Sequence, residues 1–372
     1  MLTGAGFSSG WHDPAVISAE LRDPYELSKS EIDAWRELSE AALEPNPFHD
    51  PDFVLPAAQE LRPRNLGVLA VRDDGDWLCC LPVVRTRGWR RIPLKGLVTW
   101  KNLYCFLGTP LVRAGSEEGL GPLLEEGGRH GGSFLGLDLM SGNGPLRAAL
   151  ERAGAGPRAI ELGGWERATL ERRPEQTYLT LSAKHRRNFE RLRRRLADDL
   201  DAPLELRDRS DDPSAWREFL DVEASGWKGG VGTGTALATI GHGDFFLEIC
   251  RRLAPRGMLQ LIAAEAGGRT AAMLCSLIAG GTAFTFKIAS AAKLLTYSPG
   301  VQIEILYLDH FHADAGLKAA DSCAEPTNQM INRLWPDRRQ IEILAIPRPG
   351  PAGRAAKPIL QGGASITRKV RG

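Results

Sequence analysis

The chain has 372 residues, 43% of them hydrophobic and 25% charged, with 47 Lys and Arg against 46 Asp and Glu. That length buries one large core or two medium ones, and the composition is that of a soluble globular protein. A net charge of +1 argues against nucleic-acid binding driven by overall charge, and no uninterrupted apolar run is long enough to span a bilayer.

Residues 1–29 read as an irregular, Gly- and Ser-rich arm without an apolar signal region. A helix opens at Ser30, a cap with Asp33 three residues on, and shows Trp35, Leu38 and Ala42 on its apolar face. The stretch from Asn46 to Pro51 breaks it, and a second helix is predicted over 52–61. Strands are predicted at 66–71, 77–84, 96–100 and 134–140, with Asp74-Gly75 as the first turn, and a helix over 145–153. Asp52, Phe53, Leu61, Pro63, Arg64 and Leu69 recur as Asp244, Phe245, Leu253, Pro255, Arg256 and Leu261, at a constant offset of 192. A fixed offset suggests duplication, although helix–turn–strand units also recur by chance.

A strand at 177–181 is expected to enter the second half. Residues 184–196 follow as a basic amphipathic helix, with Arg187, Arg191 and Arg194 among its cations and Phe189, Leu192 and Leu196 as its apolar stripe. Such a helix reads as a solvated face, or as a site for a phosphate-bearing ligand or an anionic membrane surface. Nucleic acid is the weakest of its readings. A helix at 216–224 leads into a Gly- and Thr-rich segment, 225–239, which is not a P-loop because no G-K-[ST] occurs there. It reads as a mobile loop over a cleft or as an exposed linker.

Residues 259–316 carry the densest pattern. Apolar runs broken by Gly267-Gly268 and Gly280-Gly281 predict three antiparallel strands with tight turns. On the third, Phe284, Phe286 and Ile288 share one face, and Lys287 takes the other. After a polar loop, Ser298-Pro299-Gly300 opens a helix carrying Val301, Ile305, Leu308 and His312. Ser298 can serve as its cap, and the free N–H groups of its first turn favour anions. A last strand is expected at 340–346, and the basic, Pro- and Gly-rich tail from 348 is expected to be poorly ordered.

Three residues stand out as chemistry-bearing. Glu223, at the end of a helix beside Trp227, is the first candidate base; a helix-end salt bridge is the plain alternative. Asp321, after a strand break, is the second. Lys287 could hold a phosphate or polarise a carbonyl, or be an edge-strand lysine. His310 and His312 differ by two and do not share a helical face, so no metal pair is expected. His49 and His242 read as caps or core polar groups. The six cysteines form no C-x-x-C pair and read as small buried hydrophobes of a reduced cytoplasm, and Cys323 has no recognisable triad.

Three local patterns carry a family likeness. They are Ser182-Ala-Lys184-His-Arg186-Arg187-Asn188-Phe189, Glu223-Ala-Ser-Gly226-Trp227-Lys228-Gly229, and Phe286-Lys287 followed by Tyr297-Ser298-Pro299-Gly300. In this order they resemble the Gcn5-related N-acyltransferases (GNAT), in particular the CelD/BcsL type of bacterial cellulose-biosynthesis clusters, with Fem-type peptidyl transferases as more distant relatives. The resemblance implies an α/β (α+β) fold of tandem GNAT-like halves, with mixed, mostly antiparallel sheets flanked by helices. Its parts are a degenerate half at 30–175 and a catalytic half at 176–347, between the arm at 1–29 and the tail at 348–372.

The resemblance further implies acyl-CoA as co-substrate, held by Tyr297, Ser298, Gly300 and Val301. Trp227, Lys228 and Arg187 then face substrate, and Glu223, Asp321 and Lys287 carry catalysis. The expected acceptor is the amine of a sugar, a polysaccharide precursor or an amino lipid such as a sphingoid base, in the cytoplasm or at the inner face of the membrane. The alternatives are aminoacyl-tRNA-dependent transfer and a non-catalytic binding protein. The chain departs from the pattern at 290–295, where the acidic, aromatic stretch is replaced by Ser-Ala-Ala-Lys-Leu-Leu. Its loop before the helix also lacks the usual Arg/Gln-x-x-Gly-x-Gly/Ala.

Overall fold

The computed structural model describes residues 17–173, 181–229 and 234–371. The first half forms β1 (Ser18–Arg22), α1 (Lys29–Glu40), α2 (Pro51–Leu61), β2 (Leu66–Asp73), β3 (Asp76–Thr86), β4 (Gly96–Thr99), β5 (Leu111–Val112), α3 (Leu120–Gly131), β6 (Phe134–Ser141), α4 (Pro145–Arg152) and β7 (Ile160–Glu171). The second forms α5 (Ala183–Leu200), β8 (Glu205–Asp208), α6 (Pro213–Ser225), α7 (Gly243–Leu253), β9 (Leu259–Ala266), β10 (Arg269–Ala279), β11 (Thr282–Ser290), α8 (Pro299–Ala313), β12 (Ala319–Asp321), α9 (Gln329–Leu334), β13 (Asp337–Pro347) and α10 (Pro351–Arg371). No helix among the described residues is long and apolar enough to cross a membrane.

Four local expectations are corrected. Residues 17–29 are not an arm: β1 pairs along β2, Ser18 opposite Arg72 and Arg22 opposite Val68. Only Ala19 and Leu21 of this strand pack on the core, too few to show alternation in the sequence. Ser28 rather than Ser30 caps α1, in a reciprocal box with Glu31. The tail beyond Pro347 is helical: Ala356 and Leu360 of α10 are buried with Leu162, Ile343 and Ala345. A Cβ on Gly363 would lie 2.6 Å from Ile92, so the glycine lets the helix lie close against its neighbour. Ser298 is no side-chain cap, because it takes a left-handed conformation with φ 54° and Pro299 begins the helix. The strand expected at 177–181 lies, apart from Leu181, outside the described residues.

One mixed sheet carries the described strands in the order β1-β2-β3-β4-β6-β13-β7-β12-β11-β10-β9-β8, with β5 beside β3. The last strand, β13, lies antiparallel between β6 and β7, and β7 in turn pairs with β12. The two halves therefore share a continuous sheet across the boundary expected near residue 175. The aligned segments fold alike, as α2-β2-β3 and α7-β9-β10, and the aligned Phe53 and Phe245 meet edge to face at 5.8 Å. Around them Phe48, Phe284 and Phe286 join both halves in one core.

Among the described strands two pairs run parallel, β4 with β6 and β11 with β12. The carboxyl end of a parallel pair is where open sheets take ligands. In the first half the chain itself fills that end. Gly108 donates its N–H to Leu139 O at 2.9 Å and lies so close to the Asp138 carbonyl that no Cβ fits. Asn46 Nδ2 pins the same loop through the carbonyls of Leu107 (3.2 Å) and Thr109 (2.7 Å). In the second half β11 and β12 pair only over Thr282–Phe284 and Ala319–Asp321 before parting. The gap past that point is a cavity of about 140 Å³.

Candidate active site

The cavity lies in the fork between the two parallel strands. Thr285 to Ile288 form one wall and Ser322 to Ala324 the other, with Glu304 of α8, Asn328, Ile331 and Lys228 closing it, and Phe106 reaching in from the first half. A bulge shapes the first wall. In the β10–β11 ladder Cys275 faces Lys287 and Ser276 faces Thr285, so Phe286 is the extra residue. Strict alternation therefore fails. Phe284 and Phe286 stay in the shared core, Ile288 turns to the other layer, and the Lys287 ammonium lies 5.7 Å from the Tyr104 ring centroid on the core side. This corrects the expectation that Lys287 opposes the phenylalanine face, because one inserted residue reverses the parity of all that follow.

Glu223, Lys228 and Lys287 converge there from α6, from the short turn Trp227–Gly229 and from β11. The Glu223 side chain is fully buried, with Oε1 3.7 Å from Lys228 Nζ and 3.6 Å from Lys287 Nζ. Its Oε2 accepts the Leu237 N–H at 2.8 Å, tying the end of the Gly-rich segment to the site. Lys228 Nζ also donates to the Ile288 carbonyl at 2.7 Å. Burial lowers the Lys228 pKa; Glu223 opposes that shift and Lys287 reinforces it. The side chain of Trp227 lies outside the described residues.

Asp321 sits apart from this trio, at the root of the fork. Its carboxylate accepts from Arg339 Nη1 at 2.8 Å and from the Cys323 N–H at 2.8 Å, and Arg167 Nη1 lies 3.7 Å away. Cys323 holds φ 51°, and burial raises its thiol pKa well above the usual value. Such a thiol is a poor nucleophile. Tyr297, Ser298, Gly300 and Val301 mark the start of α8, past the far end of the fork. A Cβ on Gly300 would lie 3.0 Å from the Ser290 hydroxyl. Gln302 Nε2 donates to Phe189 O at 3.0 Å, which brings the basic helix α5 alongside this helix start. Arg187, Arg191 and Arg194 are exposed on α5, whereas Leu196 and Leu200 are buried.

Three residues of this region escaped the sequence reading. Tyr104 comes from the loop after β4, stacks on Phe245 at 4.7 Å and hydrogen-bonds His242 Nδ1, whose Nε2 is 3.7 Å from Glu60. Nothing local marks Tyr104 or Phe106, since they reach the site only because the two halves are packed together. Glu304 did leave a signal, as the single acid within the apolar run from Ile303 to Leu308. Its carboxyl is buried, and Oε2 has no hydrogen-bond partner among the described residues.

Residues 183–327 match the family described as "Acetyltransferase (GNAT) domain". The match lies within the second half and spans both walls of the fork. No curated protein matches the chain in sequence. Among solved structures, one titled "Crystal structure of FemX" is similar in fold, with a TM-score of 0.53 at 9% identity, over 89% of this chain and 98% of that one. A conserved protein of unknown function from Bacteroides thetaiotaomicron gives 0.55 at 12% identity, over 86% and 98%. The C-terminal domain of a protein titled as a lysylphosphatidylglycerol synthetase, from Agrobacterium fabrum, gives 0.50 at 13% identity, over 90% and 96%. These likenesses extend over both halves and concern the fold alone.

Proposed function

We propose that this protein is an N-acyltransferase of the CelD/BcsL type that moves an acyl group from acyl-coenzyme A to an amine of a sugar, a polysaccharide precursor or an amino lipid. The observation that carries the reading is the open fork between β11 and β12, with two lysines at its wall that share the buried Glu223 carboxylate behind them. An extended thioester fits along strand backbone that has lost its parallel partner. The phosphates then lie toward the start of α8, where Tyr297, Ser298, Gly300 and Val301 offer backbone, with the cations of α5, Arg187 among them, alongside. The amine nitrogen attacks the thioester carbonyl, the C–N bond forms, and the C–S bond breaks to release the thiol. Lys287 steadies the charge that builds on the carbonyl oxygen. Glu223 keeps Lys287 and Lys228 in place, and Asp321 fixes the root of the fork through Arg339.

The reading predicts that free thiol is released from acetyl- or palmitoyl-coenzyme A only when glucosamine or a sphingoid base is present. Transfer that instead requires aminoacyl-tRNA, with a steep salt dependence, would establish the Fem-type alternative. Release from no donor would leave a binding protein.

The exposed arginines of α5 support a further element of this proposal, a peripheral position at the inner face of the membrane, which suits a lipid acceptor. Sedimentation with anionic vesicles is expected. It should be lost when Arg187, Arg191 and Arg194 are all changed to Gln, and a wild type that stays in the supernatant removes the idea.

A further inference from the structure

We propose that Glu304 is the proton acceptor for the attacking amine. The inference rests on the acyl-transfer reading and assigns it a base. Three observations converge on this residue. Glu304 lines the fork cavity together with Lys287 and Cys323, so it shares the space the reacting carbonyl would occupy. It is 2% exposed, and one carboxyl oxygen has no partner among the described residues. A buried carboxyl oxygen without a partner is costly to keep unless something else uses it. Glu223 Oε1 also lacks a hydrogen-bond partner, but it lies within 4 Å of two ammonium groups while its other oxygen accepts the Leu237 N–H, and Asp321 is held by Arg339 and the Cys323 N–H. Glu304 is thus the least committed of the three carboxyls.

Its surroundings tune it for the task. Burial pushes its pKa up to about 8, opposed only by the Trp335 indole beside it. Tyr307 on the same helix feels its charge, and Lys228, Lys287 and Cys323 share the cavity. A base with a pKa near the working pH serves both directions of proton transfer. The carboxylate takes the proton from the nitrogen as the C–N bond forms. It returns that proton to the thiolate as the C–S bond breaks, so amine and thioester yield amide and thiol with Glu304 restored.

The test is E304Q, which keeps the shape and removes the titration, with E304D as the conservative variant. Transfer from acetyl- or palmitoyl-coenzyme A to glucosamine or a sphingoid base is followed across pH 6–10. For the wild type kcat/KM should rise through about pH 8. E304Q should lose that limb and fall on the order of 100-fold in kcat, with donor binding unchanged, and E304D should recover part of the rate. Folding is read separately. A carboxyl whose folded pKa is raised from 4.5 to about 8 favours the fold below the lower value and loses that contribution as pH rises to the upper one. E304Q should therefore melt above the wild type at pH 8 and beyond. An E304Q enzyme within threefold of wild type that keeps the limb overturns the inference. A wild type that neither binds a donor nor transfers to either amine overturns the acyl-transfer reading itself, and this inference with it.

Discussion

Replacing Arg256 by alanine is expected to destabilise the protein by roughly 3–5 kcal/mol, because it strands a buried carboxylate. Arg256 follows α7 in the second half. Its guanidinium reaches the first half, holding Asp50 at 2.9 and 3.0 Å, Asp52 at 2.7 Å and Glu40 at 2.9 Å. The Asp50 side chain is fully buried and also accepts the Asp52 N–H that starts α2. Burial already raises its pKa, with Arg256 the main opposing influence. Asp52 keeps a second partner, since Arg36 grips both of its oxygens at 2.7 and 2.8 Å. The loss should therefore fall mainly on Asp50, and a fall in Tm of about 10 °C is expected. Arg256→Lys keeps the charge without the fork of donors and should cost less. A change below about 1 kcal/mol in denaturant titration would reduce the cluster to an ordinary solvated pair.

Glu223→Gln is the second large effect, and it should appear in turnover. Glutamine can still accept the Leu237 N–H, so the Gly-rich segment stays tied, but two neighbouring ammonium groups lose their shared counter-charge. The Lys228 pKa, already low from burial, should drop further. Acyl transfer is expected to fall about 100-fold while the fold persists. Asp321→Asn should instead weaken the root of the fork, because Arg167 and Arg339 are then left facing a neutral amide. If Glu223→Gln, Asp321→Asn and Lys287→Ala all left function intact, the protein would be a binding protein rather than an enzyme.

What the sequence made legible is what short-range pattern encodes. The β9–β10–β11 meander, α5 and the start of α8 at Pro299 follow from Gly pairs, a basic run with an apolar stripe and a proline after the loop. Glu223, Lys228 and Lys287 are separated by up to 64 residues yet meet, and their family likeness singled them out where composition could not. Other features depend on long-range packing. The side taken by Lys287 hinges on one bulged residue, the β13 strand inserts between β6 and β7 far from it in sequence, and Tyr104 joins the site across the interface of the halves. The α10 helix was hidden by a Pro- and Gly-rich composition whose meaning is close packing against Ile92. Glu304 was visible in principle, since an acid within an apolar helix must be either paired or used.

The central claim is that the fork takes an acyl-coenzyme A. The direct test is the melting temperature of the wild type against esters from acetyl to palmitoyl, with free coenzyme A as control. A ligand that binds only the folded state raises Tm with concentration, by about 2.7 kcal/mol of stability at 100 times Kd. The account predicts such a rise for at least one ester, and the chain length preferred separates sugar-type acetylation from lipid-type acylation. No shift with any ester or with free coenzyme A would contradict it.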